Sequence, residues 1–538
     1  MTKRAVICVE DTKNLVEFAG YLVSAGWTIL SAGKTGEFLR KERIPFQYEK
    51  GIAESPDINA DTFMLIKKVM STRIDDAGSS SQDDTFRENN IQILCVNVQP
   101  PAFAGPLAEG SHGIPNLPVT SLVRSSFANY GNILMLTDPG DYKEAMIQLR
   151  TDSVTPEFRR YLAGKAMNMI SAFDGAVALG ILKDSADDDP FMNYLTFPFA
   201  KEMVFHGGVN PHQKSCLYSM TRSMGAASGF RKLHGPELNY NVICDLSLAW
   251  DQISSLYACL KNQLTVKSVN SDGYEFTTQF TPCTGTVFTV AVKRRSIVGG
   301  ALSTNVLDSF LKTFTYDSQN IGDVTIGCSA VIDSKAALEM VKTDFAAIIA
   351  PGFTSEAKEI LSANRNIRLI PTAKVSLQLF DIQLVNGGLL VQSKDHVLFG
   401  QWNVRTKNRP SQFLSDEMAI GMLLVMGPRS YSCILMKGNA IVGISQACTS
   451  PLKSVDGVLS EAVENAERNP GQNQDGILAE VLVSDTAIPF CLSVRTLIDR
   501  GVKAIIQTGG TPDDMEFIKY CDERGVVMIF TGMTHIAY

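Results

Sequence analysis

The stretch Phe205 to Gln213, FHGGVNPHQ, carries side chains whose types suit binding or catalysis. Its polar side chains are those of His206, Asn210, His212 and Gln213. The paired glycines allow a positive φ or a close approach to a ligand, while Pro211 fixes its own φ and keeps the preceding residue extended. We interpret the stretch as a loop that presents an imidazole and amides to a ligand. The alternative is a surface turn before the next element.

A short run of cations, Lys293, Arg294 and Arg295, follows a predicted buried strand over Thr286 to Lys293. Arginine stays protonated at neutral pH, so it can hold an anion but cannot act as a base. The alternative interpretation of this run is a solvated strand end.

A glycine turn near the start of the chain, Ala32 to Gly36, connects a predicted strand to a predicted helix. Gly33, Lys34 and Thr35 would offer free backbone N–H groups and a cation, which is the chemistry of a phosphate cradle. The spacing is not that of a P-loop. An ordinary strand-to-helix turn is the alternative.

The first 182 residues alternate between strand and helix patterns, which predicts a parallel sheet. The predicted strands are 4–9, 27–31, 93–98 and 133–137, and the predicted helices are 15–25, 37–42, 121–129 and 156–181. The polar segment from Asp75 to Asn90 is interpreted as a surface loop, and the segment from Lys183 to Asp189 as an acidic linker.

From Thr196 onward the elements alternate less regularly and the pattern repeats in two halves. The predicted helices are 246–260, 304–313, 335–342, 355–363, 416–425 and 458–469, and the strands are 286–293, 324–332, 346–350, 432–445, 481–484, 503–507 and 526–531. We therefore predict two similar α/β units after an N-terminal parallel-sheet domain.

Composition narrows the function classes. The chain has 538 residues, enough for two to four domains, and a net charge of -7 that argues against a protein driven by phosphate contacts to nucleic acid. The 11 cysteines show no zinc-site spacing. No signal peptide or long apolar span is visible, so we expect a soluble, cytosolic protein.

Several motifs occur together in a familiar order. They are SAGKTGEFLRKERIPF, YLAGKAMNMISAFDGAVA, FHGGVNPHQ, AAIIAPGFTSEAKEIL, VSDTAIPF and TGMTHIAY. Together they resemble the bifunctional purine biosynthesis family, in which AICAR transformylase is joined to IMP cyclohydrolase, and the resemblance covers nearly the whole chain.

The resemblance implies an α/β fold in three parts and a homodimer. These are a methylglyoxal-synthase-like cyclohydrolase domain (1–182) and two cytidine-deaminase-like transformylase units (196–375 and 376–538). It implies formyl transfer from 10-formyltetrahydrofolate to AICAR and ring closure of FAICAR to IMP, with no metal, no nucleic acid and no membrane.

The resemblance also assigns residues to the transformylase reaction. The amine of AICAR is a weak nucleophile, so the site must remove its proton during attack and stabilise an oxyanion. His212 matches the loop histidine and Lys293 the strand-end lysine, whose partner histidine is Arg294 here. The sequence SIVGG after this turn fits the family's glycine turn. Asn210, Gln213, Asp485, His206 and Tyr431 are the implied substrate-binding residues.

Several family positions are changed. Thr534 and His206 stand where arginines are expected to meet phosphate, Gly207 replaces a tyrosine, and Ala487 and Ile488 replace phenylalanines. Loss of charge-assisted hydrogen bonds predicts weaker AICAR binding. The alternative function is therefore a catalytically impaired paralogue that binds a purine nucleotide or a protein partner.

The cyclohydrolase part retains fewer of the family's motifs. The implied substrate-binding residues are Gly33, Lys34, Thr35, Arg124, Asn129 and Asp138, with Tyr142 nearby. Lys67, Lys68 and Arg73 are further cations that could meet a phosphate, and Gln99 replaces a tyrosine. Ring closure needs proximity and modest proton transfer, so partial loss of the motif is compatible with activity.

Overall fold

The computed structural model describes residues 3–52, 60–70, 72, 91–99, 116–151, 153–182, 191, 193–220, 230–261, 264–269, 275–280, 286–314, 322–372, 380–395, 397–470 and 476–537. The segments 75–90 and 183–189 and Arg73 lie outside these residues. The chain divides into two compact units. One comprises residues 1–201 and 218–223, and the other residues 202–217 and 224–538.

The first unit is built on a parallel sheet. Its strands are β1 (Arg4–Val9), β2 (Thr28–Ser31), β3 (Gln47–Tyr48), β4 (Ile91–Asn97) and β5 (Leu134–Leu136). Their order is β3-β2-β1-β4-β5, and the neighbouring strands are parallel. Its helices are α1 (Leu15–Ser24), α2 (Gly33–Lys41), α3 (Ala60–Met70), α4 (Leu117–Phe127), α5 (Tyr142–Arg150) and α6 (Pro156–Leu182). The predicted parallel sheet is confirmed.

Both faces of this sheet are buried. Val6 and Leu94 pack in one apolar cluster, and their neighbours Ile7 and Cys95 pack in another. Consecutive strand residues point to opposite faces, so apolar residues at every position bury both sides under helices. This explains why near-continuous apolar runs predicted the strands.

The helix predicted over residues 37–42 begins earlier than expected. Helix α2 starts at Gly33, whose φ of 56° lies in the left-handed region. The residues predicted to form a turn are therefore the first turn of the helix. Their backbone N–H groups therefore lie at the start of a helix, where anions bind favourably.

The second unit contains a large mixed sheet. Its strands are β10 (Val287–Lys293), β11 (Ser296–Ser303), β12 (Thr325–Cys328), β13 (Ala347–Ala350), β14 (Arg368–Pro371), β17 (Asn403–Val404), β18 (Cys433–Lys437), β19 (Ala440–Ser445), β20 (Val481–Ser484), β21 (Ala504–Gln507) and β22 (Val527–Phe530). Two two-stranded pairs accompany them: β8 (Leu264–Val269) with β9 (Glu275–Phe280), and β15 (Phe380–Val385) with β16 (Gly388–Ser393). A further pair, β6 (Phe199–Phe205) with β7 (Ser215–Met220), contains residues of both units.

The helices of this unit cover the sheet. They are α7 (Tyr240–Lys261), α8 (Val306–Thr313), α9 (Ser334–Met340), α10 (Ser355–Ser362), α11 (Gln412–Val425), α12 (Pro451–Arg468), α13 (Leu492–Asp499) and α14 (Asp514–Arg524). Most follow the predicted positions, with ends shifted by a few residues. The mixed α/β class is confirmed.

The sheet order repeats the same arrangement twice. It reads β14-β13-β12-β10-β11-β19-β18-β20-β21-β22-β17. In each half a hairpin (β10–β11 or β18–β19) is followed by three strands that run parallel to one another. The halves meet where β11 and β19 pair antiparallel.

The segment SIVGG, which fits a glycine turn by resemblance, is instead part of strand β11. A side chain at Gly299 would lie 2.6 Å from the carbonyl oxygen of Thr313 at the end of helix α8. Glycine is therefore required there for close packing of helix on strand. The turn itself is formed by Arg294 and Arg295.

A buried carboxyl group on α11 supports the second hairpin. Glu417 Oε1 accepts a hydrogen bond of 2.8 Å from the N–H of Asn439, whose φ is 63°. Its Oε2 atom is buried without a hydrogen-bond partner among the described residues. Burial raises the pKa of Glu417 to about 7, although the Asn439 N–H lowers it.

No helix among the described residues is long and apolar enough to span a membrane. The cysteines in the described ranges are free thiols.

Replacing Glu417 with Gln should change how stability depends on pH. Because the pKa of Glu417 is raised in the folded state, its neutral form stabilises the fold at low pH, and this contribution is lost as pH rises from about 4.5 to about 7. In urea unfolding we compare the free energy of unfolding of Glu417→Gln with that of wild type. The difference should shift in favour of the variant by up to about 3 kcal/mol between pH 5 and pH 8. Exposed Glu523→Gln is the control, and a difference independent of pH would contradict the prediction.

Candidate functional site

Several of the predicted residues lie at one edge of the large sheet, where neighbouring strands begin or end. Lys293 ends β10 opposite Ser296, and Cys433 at the start of β18 pairs with both Ser445 and Ser484. Because β11 and β19 run antiparallel, these five residues lie at the same edge, which we call the Lys293 edge. Arg294, Tyr431 and Asp485 directly flank these strand ends. Predicted residues far apart in sequence therefore share one edge.

The hairpin turn that follows Lys293 is held by a buried carboxylate. Arg294 and Arg295 both have positive φ, 51° and 61°, and form a two-residue turn. Asp245 on α7 is 6% exposed, and its two oxygens accept the N–H groups of Arg294 at 3.1 Å and Arg295 at 2.6 Å. Burial raises the pKa of Asp245, and the two N–H groups act against that rise. The side chains of both arginines are left exposed.

Lys293 is half-buried, and its Nζ donates a 2.8 Å hydrogen bond to the carbonyl of Gly322. Gly322 lies three residues before β12, which pairs with β10. The ammonium therefore stays at the Lys293 edge as a fixed positive charge. A cation held in this way can stabilise a developing oxyanion or an anionic ligand group.

Asp485 and Tyr431 form the other end of the site. Asp485 is fully buried, and its Oδ2 accepts the N–H of Ser432 at 2.9 Å. Burial raises the pKa of Asp485, while Ser430, the Ser432 N–H and the charge of His535 lower it. Tyr431 is half-buried and exchanges two backbone hydrogen bonds of 3.1 Å with Cys448.

Gln446 connects these two ends. Its side-chain amide donates to the carbonyl of Ile297 at 2.9 Å, joining the loop after β19 to the start of β11. The next residue, Ala447, has a φ of 57° and donates its N–H to the carbonyl of Arg429. The Lys293 hairpin and the loop near Tyr431 are thus held in fixed positions.

The FHGGVNPHQ loop lies on the surface. His206, Asn210, His212 and Gln213 are all exposed. The side-chain oxygen of Gln213 accepts the backbone N–H of Asn210 at 2.9 Å and its amide at 3.2 Å, so these two residues are brought together. Within the described ranges, no hydrogen bond or ion pair joins His212 to Lys293, and their meeting over one ligand stays a prediction.

In the first unit, the carboxyl ends of the parallel strands hold the glycine turn. Thr35 Oγ1 is buried, accepts the N–H of Val9 at 2.9 Å and donates to the carbonyl of Val9 at 3.0 Å. The Thr35 hydroxyl therefore ties α2 to β1. Gly33 is half-buried and Lys34 is exposed, so the start of α2 remains open to an anion.

The same strand ends hold a lysine that sequence analysis did not single out. Lys165 Nζ lies 2.6 Å from Asp138 Oδ2 and 2.6 Å from Asp141 Oδ2. The pKa of Asp138 is lowered: burial acts to raise it, but the hydrogen bonds from Lys165 and Gly140 and the lysine charge outweigh that. Lys165 belongs to the quoted motif YLAGKAMNM. A lysine beside the apolar face of a predicted helix is the feature of the sequence that could have indicated it.

Two other predicted residues lie away from these strand ends. Arg124 forms an ion pair with Asp174, which is nine residues, or about 13 Å, along α6 from Lys165. The amide of Asn129 donates to the carbonyls of Val69 and Thr72, at the end of α3. These side chains are engaged in joining helices and loops.

The structure also shows the surroundings of Gln99 and of the two remaining predicted cations that it describes. Lys68 lies 3.7 Å from Glu49, and Lys67 is exposed on α3. The N–H of Gln99 donates to Glu10 Oε2 at 2.9 Å. Throughout the described residues, no group of three or more His, Cys, Asp or Glu side chains is arranged to hold a metal ion.

Comparison with known proteins identifies the family. The sequence model of the AICARFT/IMPCHase bienzyme matches residues 127–460. The bifunctional purine biosynthesis protein PurH of Clostridium acetobutylicum is 30% identical over 550 residues, covering 100% of both chains. The PurH proteins of Petrotoga mobilis and Brachyspira hyodysenteriae are each 26% identical, again over 100% of both chains.

The chain belongs to the AICARFT/IMPCHase bienzyme family.

Within this family the chain is divergent, and the changed positions can now be located. Thr534 is exposed in the last segment of the chain, and Ile488 is buried, with its N–H donating to Gln507 Oε1 at 2.7 Å. Ala447 has a positive φ of 57°, a backbone conformation in which glycine is usually found. The backbone arrangement around Asp485 is thus well defined despite the altered side chains.

Replacing Asp245 with Ala should loosen the Lys293 hairpin. The substitution removes the acceptor for the N–H groups of Arg294 and Arg295, and should lower the free energy of unfolding by about 1–3 kcal/mol. Hydrogen exchange at these two N–H groups should accelerate. Asp513→Ala, at an exposed helix start without a side-chain cap, should change stability by less than about 0.5 kcal/mol. Unchanged exchange at Arg294 and Arg295 would show that Asp245 does not hold the turn.

Proposed function

We propose that this chain forms IMP from AICAR in two steps. The formyl group of 10-formyltetrahydrofolate is transferred to the AICAR amine, and FAICAR then closes to IMP. The observation that carries the proposal is the likeness to PurH over the whole length of both chains, which spans both units.

The Lys293 edge supplies groups suited to formyl transfer. Lys293 is a fixed cation beside the turn, and Arg294 is exposed where it can hold an anion. In the proposed reaction Lys293 stabilises the oxyanion that forms on the formyl carbon. His212 is the candidate base for the amine proton, because Arg294 cannot accept one. Asn210, Gln213, His206, Tyr431 and Asp485 are the proposed substrate-binding residues.

The strand ends of the first unit supply groups suited to ring closure. The N–H groups at the start of α2, with Gly33, Lys34 and Thr35, would bind the FAICAR phosphate. Lys165 and Asp138 form an ion pair after β5 of the same sheet, and in the proposed reaction Lys165 stabilises negative charge as the ring closes. The ion pair of Arg124 with Asp174 and the carbonyl contacts of Asn129 favour structural roles for those two residues over phosphate binding.

A homodimer is part of the proposal. One face of the β15–β16 hairpin exposes apolar side chains, because Leu384 is paired with Leu389, and Ile382 lies two residues before Leu384 on the same face; they are 84%, 38% and 44% exposed. Monomeric proteins seldom expose such a contiguous patch, and a second copy is the proposed cover. We also propose residues 1–182, 196–375 and 376–538 as the functional domains, and a cytosolic location. Sedimentation of the purified chain tests the dimer.

The formyl-transfer reaction can be tested with purified protein, AICAR and 10-formyltetrahydrofolate. Wild type should form FAICAR slowly, since the position of the family's strand-end histidine holds an arginine that cannot accept a proton. Arg294→His should raise the rate by about tenfold or more, because general bases contribute about 10²–10⁴-fold.

Arg295→His is the matched control, since it makes the same change one residue later in the turn and should leave the rate near that of wild type. Absence of FAICAR at high enzyme concentration would refute the transformylase assignment. Equal rates for the two variants would refute the role given to position 294.

Ring closure can be tested separately by supplying FAICAR and measuring IMP. Lys165→Met should reduce the rate by about 10²-fold or more, because the charge beside Asp138 is removed. Exposed Lys143→Met on α5 is the control and should retain wild-type activity. Equal rates for Lys165→Met and wild type would exclude Lys165 from the reaction.

A further inference from the structure

The loop that follows β1 lies between the two groups proposed for ring closure. Val9, the last residue of β1, contacts the Thr35 hydroxyl in the first turn of α2 through both its N–H and its carbonyl. At the other end of the loop, the side-chain amide of Asn14 donates to the carbonyl of Pro139 at 3.3 Å, and Pro139 directly follows Asp138. The loop therefore connects the start of α2 with the turn that carries Asp138.

This loop lies at the switch point of the parallel sheet. After β1 the chain adds β2 and β3 on one side of it, and later β4 and β5 on the other. Ligands of open α/β sheets bind in the crevice at the carboxyl ends of the strands where the order reverses in this way. The start of α2 follows β2 and Asp138 follows β5, which are three strand spacings, or about 14 Å, apart. A ligand that touches both must therefore pass over the ends of β1 and β4.

Glu10 presents a carboxylate at the ends of these two strands. Asn97, the last residue of β4, is buried, and its side-chain oxygen accepts the N–H groups of Glu10 at 2.7 Å and Asp11 at 2.8 Å. The Glu10 carboxylate accepts the N–H of Gln99 at Oε2, at 2.9 Å, and the amide of Asn116 at Oε1, at 2.7 Å. Because Glu10 is also exposed, its carboxylate is held in one orientation and is open to a ligand.

A carboxylate at this position limits which part of a nucleotide can lie over it. It can only accept hydrogen bonds, and each oxygen keeps a lone pair beyond the one used by Gln99 or Asn116. Its negative charge repels a phosphate, which is favoured at the start of α2 instead. The carboxamide and formamide groups of FAICAR react with each other at ring closure. The ribose hydroxyls are therefore the donors left to meet Glu10.

We propose that Glu10 is a substrate-binding residue that accepts hydrogen bonds from the ribose hydroxyls of the nucleotide, and that it selects ribonucleotides over nucleotides without these hydroxyls. The inference rests on the ring closure proposed for the first unit. It names the part of the substrate that is held between the start of α2 and the Lys165–Asp138 pair.

Binding of the product to the full chain tests this contact without turnover. Calorimetry compares IMP with 2′,3′-dideoxy-IMP, which lacks both ribose hydroxyls. Wild type should bind the dideoxy nucleotide about tenfold or more weakly than IMP, because hydrogen bonds to a charged acceptor are lost. In Glu10→Ala the two affinities should differ by less than about twofold, since the acceptor is absent for both nucleotides.

Glu42→Ala is the matched control. It makes the same change at an exposed glutamate at the far end of α2, nine residues, or about 13 Å, from Gly33, and should keep the wild-type ratio of the two affinities. Glu10→Gln, which keeps the side-chain volume but has one acceptor oxygen, should also lower the ratio, and it replaces Glu10→Ala if that variant does not fold.

A purely structural role for Glu10 gives a different result. If Glu10 only ties Gln99 to Asn116, its removal should weaken IMP and 2′,3′-dideoxy-IMP equally, and an unchanged ratio would overturn the proposal. Equal binding of the two nucleotides by wild type, or no binding of IMP, would overturn it as well.

Failure of this inference can be distinguished from failure of the proposed function. A wild-type protein that converts no FAICAR to IMP refutes the ring-closure assignment, and the ratio of affinities still decides whether Glu10 binds the ribose. A wild-type protein that forms IMP but has the same affinity ratio as Glu10→Ala refutes the role of Glu10 alone.

Discussion

The second unit depends on buried carboxyl groups placed beneath its central hairpins. Asp245 on α7 accepts the N–H groups of the Arg294–Arg295 turn, and Glu417 on α11 accepts the N–H of Asn439 in the other hairpin. Each turn has positive φ at residues other than glycine, which is unfavourable without support. Burial disfavours the charged form of each carboxyl group and raises its pKa. The repeated strand order is therefore accompanied by a repeated means of holding the hairpin.

Local sequence was sufficient for elements whose burial is simple. The strands of the parallel sheet and helices such as α6 followed from apolar periodicity, because each buries a continuous apolar surface. Strand β11 could not be predicted, since Gly299 and Gly300 carry no apolar side chain, and Gly299 is required by the approach of helix α8. The packing partner, the end of α8, is fourteen residues away in sequence. Tertiary contact thus overrides the local glycine signal.

Only part of the candidate site could be predicted, because some of its residues are defined by tertiary contacts. Family motifs indicated Lys293, Tyr431 and Asp485, and strand pairing brings these to one edge. Motifs did not indicate Asp245, and they did not single out His535 within TGMTHIAY, because the contacts of both residues are with backbone or carboxyl groups distant in sequence. In the first unit, Lys165 was missed because it lies in a helix whose partner, Asp138, follows a strand. Side chains that orient other groups leave little trace in a single sequence.

Spacing along the Lys293 edge limits what one ligand can touch. Lys293 and Asp485 end strands that are four places apart in the sheet, so about 19 Å separates them across the strand direction. Both cannot hydrogen-bond the same small group. Under the proposed function the edge must accommodate two substrates, a nucleotide and a folate. Lys293 then acts at the reacting formyl group, and Asp485, fixed by its neighbours, acts on a part of a substrate that lies farther along the edge.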